Sequence, residues 1–171
     1  LIIIANYISK KGINVNLISF DNKFEENFNK KINFIKPRFS TLNRSKYYKY
    51  FFCLLLLARE LIKNNCIVFS FQANIYAIIL CKILGIKIIA RSNSSPEGWY
   101  HSWAKKLIYK NIINFADLVL VNSHEFKIQM NKNFGIKSIC IFNPLDKKRI
   151  ISKSKLKINN IPFKKGELKI L

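Results

Sequence analysis

The chain has 171 residues, half of them hydrophobic, and sets 30 Lys and Arg against 9 Asp and Glu for a net charge of +21. That length suits one domain and that apolar share can fill a sizeable core, which excludes a disordered chain. The charge favours anionic partners, namely phosphate-bearing substrates, anionic membranes or nucleic acid, although Lys beside abundant Ile and Asn is also what compositional drift across a proteome produces.

Leu1 to Lys11 has a helical pattern closed by Gly12, with Lys10 and Lys11 in the last turn. It opens in mid-pattern without a Met, and is read as lacking its true N-terminus. Ile13 to Phe20 alternates apolar and polar residues as a strand does, Asp21 to Lys31 is a polar loop, and Ile32 to Ile35 is a short strand stopped by Pro37. Lys46 to Lys63 is a long amphipathic helix and Cys66 to Phe71 a buried strand. Ala73 to Leu84 reads as a helix closed by Gly85, and Ile86 to Ala90 as a strand whose lack of alternation suits a parallel sheet covered on both faces. Trp103 to Phe115 is a helix and Leu118 to Val121 a strand. Ser123 caps a helix running to Phe134, Gly135 ends it, and Ser138 to Phe142 is a further strand.

From Asn143 the texture is that of a linker, with Pro144, a Lys-rich stretch through Lys157, Pro162 and Gly166, and Leu168 to Leu171 opens another strand. The alternation predicts an α/β fold, a Rossmann-like doubly wound parallel sheet. Its expected bounds are a domain over 1–146, a linker over 147–166 and the start of a second, absent domain at 167–171. The apolar runs Tyr50 to Ala58 and Ile75 to Ala90 are respectively too short for a membrane span and interrupted by Lys82, Gly85 and Lys87. Cys53, Cys66, Cys81 and Cys140 lie in apolar runs without a metal-binding spacing, so they are expected to be buried free thiols in a reducing cytoplasm, with no metal site.

In parallel sheets ligands bind beyond the carboxyl ends of the strands. The loop from Arg91 to Trp99 gathers a fixed cation, an amide, hydroxyls, a carboxylate and an indole, so Arg91, Asn93, Ser94 and Glu97 are candidates for binding phosphate or sugar. The same loop also reads as a solvated turn shaped by Pro96 and Gly98. Ser123 and Glu125 open a helix whose N-terminus suits an anion, or serve only as a cap and a favourable first-turn charge; His124 beside them could titrate or be structural. Ser70 to Asn74 either lines a cleft or starts a helix. No GxGxxG, P-loop, GxSxG or metal cluster occurs.

Four stretches, LIIIANYISKKGINVNLISF (1–20), IKIIARSN (86–93), ADLVLVNS (116–123) and FGIKSICIFNPLD (134–146), resemble in order and spacing glycosyltransferase family 4, whose GT-B enzymes face two Rossmann-like domains across a cleft. The resemblance implies a retaining transfer of sugar from a nucleotide-diphosphate donor, with no cofactor and no essential metal. It implies that this chain is the acceptor-binding N-terminal half, expected to be inactive alone, with the glycine-rich loop lying before Leu1 and the donor site after Leu171. Asn143 and Asp146 match the family's hinge, where Pro144 and Leu145 replace its glycine, and Arg91 to Asn93 stand where the family often has a His. The acceptor or phosphate contacts it implies are Arg91, Asn93, Ser94 and Glu97, with Ser123 and Glu125 as cleft wall and catalytic residues unassigned. Glycolipid, lipopolysaccharide or other surface-polysaccharide acceptors are implied, at a cytoplasmic or inner-membrane-face location where 45–63 and 99–110 dock on anionic lipid, unless those faces pack on the sheet. Competing readings are another Rossmann-like nucleotide-sugar enzyme, or a basic nucleic-acid-binding domain using Tyr47, Tyr48 and Tyr50 beside Lys46 and Lys49.

Overall fold

Each helix whose start is preceded by Ser or Asp begins where that side chain caps it, and the strands follow where apolar runs resume. In a computed structural model the described residues are 1–20, 25–37, 45–95 and 102–156. Their elements are α1 (Ile2–Lys10), β1 (Asn16–Ile18), a 3-10 turn (Glu25–Asn27), β2 (Asn33–Ile35), α2 (Lys46–Lys63), β3 (Val68–Ser70), α3 (Asn74–Ile83), β4 (Ile88–Ser92), α4 (Trp103–Asn114), β5 (Leu118–Val121), α5 (His124–Phe134), β6 (Ile139–Cys140) and α6 (Lys147–Ser154). Ser45, Ser102, Ser123 and Asp146 accept from the backbone N–H three residues on, satisfying a donor that each helix start would otherwise leave open. α1 and α3 start without a side-chain cap, and before α3 Ala73 takes a left-handed conformation at φ 54 and ψ 30.

Among the described residues all pairing is parallel: β1 with β2, and separately β3-β4-β5-β6 in that order. Parallel neighbours need a crossover, which α3, α4 and α5 supply in turn, giving the Rossmann-like α/β architecture expected from the alternation. Leu61 of α2 and Ala77, Ile78 and Cys81 of α3 bury against Ile88 and Ala90 of β4. Ile113, Met130, Phe134 and Ile136 bury with Val119 and Val121 of β5. By register these side chains all pack on one face of β4 and β5, burial being the main favourable contribution to folding, whereas Ile89 on the other face lines a cavity, so the two-sided cover expected for this strand is not seen among the described residues.

β5 spans the predicted residues Leu118–Val121, β1, β2, β3 and β6 are shorter than predicted, and β4 is displaced along the chain. β4 was expected to end at Ala90 but continues through Arg91 and Ser92, because β5 offers ladder partners to both: Arg91 registers with Leu120 and Ser92 with Val121. Lys147–Ser154, within the stretch read as linker, is helical once Asp146 caps it; residues 157–171 lie outside the described residues. All four cysteines are free, but Cys66 is exposed, since β3 starts only at Val68. Cys81, by contrast, is fully buried, and burial pushes its thiol up to about 11. Among the described residues no helix is long and apolar enough to cross a membrane.

Candidate functional site

The carboxyl ends of β3, β4, β5 and β6 are tied together by one polar network. At β3, the Ser70 hydroxyl lies 2.7 Å from Asn74 Oδ1, and Asn74 Nδ2 donates to the Arg91 carbonyl at 3.0 Å. At β4, Arg91 Nε donates to Asn93 Oδ1 at 3.2 Å, while Nη2 donates to the Ile141 carbonyl and to Asn143 Oδ1, both at 3.0 Å. The Ser92 hydroxyl donates to the Ser94 carbonyl at 3.0 Å and so turns the chain out of the strand. Farther out, Ser95 Oγ donates to Gln129 Oε1 at 3.0 Å and Gln129 Nε2 to Glu125 Oε1 at 3.3 Å, which fastens the same loop to α5.

Arg91 dominates the electrostatics. Alternation along β4 sends it, with Ile89, to the face opposite Ile88 and Ala90, where it is only 2% exposed. Among the described residues the ion pairs are Lys36 with Glu25 and Lys82 with Asp117, and neither involves Arg91. Its partners are neutral oxygens, and its Nη1 is buried without any. A buried cation lacking a counter-charge is costly. The arrangement therefore leaves a net positive potential at the strand ends, suited to an anionic group.

A cavity of about 2790 Å³ opens beside this network. Its walls are β1, β3 and the facing sides of α1 and α2, and its rim at the strand ends carries Gln72, Asn93, Asn143, Asp146 and Arg149. Small-molecule pockets run to roughly 300–1,000 Å³, so the rim, where polar groups converge, is the candidate site and not the whole volume. Ala73, the one non-glycine residue with positive φ among the described residues, also lines it; strain of this kind is maintained only where surrounding structure imposes it.

The candidates read from the sequence fall as follows. Asn93 is exposed and lines the cavity; Arg91 sits behind it inside β4 and not in the loop. Ser94 is exposed beside them. Ser123 caps α5 through Phe126 N at 3.1 Å, and Glu125 is exposed and joined to Gln129; neither is a cavity-lining residue. Glu97 lies outside the described residues. His124 is exposed and meets the Phe142 ring edge-on at 5.3 Å. Gln129 was not foreseen: only its position one turn after Glu125 marked it, and nothing in the sequence showed that Ser95 would reach it. No group of three or more His, Cys, Asp or Glu able to hold a metal occurs among the described residues.

No curated protein matches the chain. Residues 1–149 match the model of the family described as Glycosyltransferase Family 4.

Proposed function

Since the chain belongs to glycosyltransferase family 4, and its general activity is sugar transfer, we propose that it is the acceptor-binding half of a retaining enzyme acting from a nucleotide-diphosphate sugar. The acceptors are a glycolipid, lipopolysaccharide or another surface polysaccharide precursor. The observation that carries this reading is Arg91: a guanidinium with no counter-ion among the described residues, behind an exposed Asn93 at the strand ends, suits an acceptor bearing phosphate. Asn93 and Ser94 contact that acceptor and Arg91 supplies the fixed charge behind them, while Ser123 and Glu125, outside the cavity lining, stand at the start of α5, from which Glu125 steadies the loop through Gln129. Glu97 is assigned to the same set from its position in the sequence alone. The donor is a substrate, and no resident cofactor or metal is assigned.

The setting we infer is the inner face of the plasma membrane. In support, α2 exposes Tyr47, Phe51, Leu55 and Ile62 beside Arg59 and Lys63, and α4 exposes Trp103, Leu107 and Ile108 beside Lys105 and Lys110, the mixture of apolar and basic groups that binds anionic lipid.

Turnover of the complete enzyme tests the assignment. Asn93→Ala is expected to raise the acceptor KM by about tenfold, the worth of one charge-coupled hydrogen bond, and to leave the donor KM in place. Unchanged acceptor kinetics in both Asn93→Ala and Arg91→Ala would remove these residues from the site.

A further inference from the structure

Arg91 reaches two segments that are far apart in sequence. Its Nε holds Asn93, in the loop after β4, and its Nη2 holds Ile141 and Asn143, up to 52 residues away and beyond the end of β6. Residues 141–146 are all exposed, so burial contributes little to holding them. What fixes their start is the Ile141 N–H donating to the Val121 carbonyl at 2.8 Å, the Phe142 ring against His124, and the two bonds from Arg91. A guanidinium is a planar fork whose donors turn together, so whatever sets the plane at Nε also sets the aim of Nη2.

We propose that Arg91 is a positioning residue that couples the loop after β4 to the segment 141–146. A ligand that takes Asn93 Oδ1 for itself releases Nε, lets the guanidinium turn, and loosens its hold on Ile141 and Asn143. The inference rests on the geometry of the chain and does not depend on sugar transfer. Because both asparagines line the same cavity, occupancy at its rim becomes a change in the mobility of the chain leaving the sheet. Such coupling is reciprocal: what loosens one segment through the other must act equally in reverse.

Hydrogen exchange of the purified chain tests the coupling without a substrate. Asn93→Ala is expected to speed amide exchange at Ile141 to Asn143 by about fivefold, the lower end of coupling between sites, while Asn143→Ala speeds exchange at Asn93 to Ser95 by a similar factor. Exchange within α5 should hold in both. Arg91→Lys, which keeps the charge and loses the fork, should speed exchange in both segments and abolish any further effect of Asn93→Ala. If each asparagine variant leaves the distant segment unchanged, Arg91 props two segments independently and the coupling is wrong. Should Arg91→Lys fail to fold, the two asparagine variants, both at exposed positions, still decide the question.

Discussion

Arg91 holds its charge at 2% exposure on neutral oxygens, two of which belong to exposed asparagines that water can satisfy if the arginine is removed. Truncation thus loses hydrogen bonds of about 1 kcal/mol each and also relieves an uncompensated buried cation. These effects oppose each other, so Arg91→Met is predicted to change folding stability by less than about 1 kcal/mol while acceptor binding falls. Urea unfolding checks it, and a loss of several kcal/mol would mark Arg91 as structural. Asp117 behaves differently. Its carboxylate accepts from the Ile88 N–H at 2.8 Å and lies 3.5 Å from Lys82 Nζ, and that backbone bond above all holds its pKa below the ordinary 3.8. A carboxylate depressed on folding contributes stability that is present above its unfolded pKa and lost as pH falls through the folded value. Asp117→Asn should flatten the fall in stability below about pH 4, measured as thermal midpoint against pH; an identical acid slope would exclude Asp117 as its source. Of these residues only Arg91 was legible in the sequence, as a fixed charge at a strand end. Asp117 acts on a strand 29 residues earlier, a pairing that no local pattern announces.

At the scale of elements, helix starts were the most readable feature because a cap is a local event: Ser123 and the helix from His124 to Phe134 stand as the spacing indicated. Ser123→Ala should cost about 1 kcal/mol through the lost bond to Phe126 N, read from the urea midpoint. Strand ends were less readable, since they depend on partners. β4 outran its apolar run because β5 continued to pair with it, and this moved Arg91 from a loop into a buried position. Ala73 went unnoticed because its left-handed backbone is imposed by the turn from β3 into α3 and not by residue type. Left-handed backbone costs a non-glycine residue about 1–2 kcal/mol, so Ala73→Gly is predicted to stabilise the chain by up to about 1 kcal/mol after glycine's greater freedom in the unfolded state is subtracted. A loss of stability would show that the conformation is not strained.

For the molecule as a whole, the alternation of helix and strand gave the Rossmann-like class, while the order and spacing of four ordinary stretches pointed to the family that residues 1–149 match. The candidate site was only partly legible: the sequence drew attention to the loops after β4 and β5, but not to one guanidinium joining the end of β4 to the chain beyond β6. The net charge of +21 fits either an anionic acceptor or a nucleic acid, and the two differ in how they bind. A phosphate-bearing acceptor meets a few placed groups at the strand ends, whereas nucleic acid meets distributed charge with a steep salt dependence. The most direct measurement is an NMR titration of the chain with a short-prenyl diphosphate sugar, read by amide shifts and repeated with an oligonucleotide. Saturable binding of the diphosphate sugar, with shifts centred on Asn93, Ser94 and Asn143, is the predicted result. Absence of saturation together with salt-sensitive oligonucleotide binding spread over the lysines would contradict it.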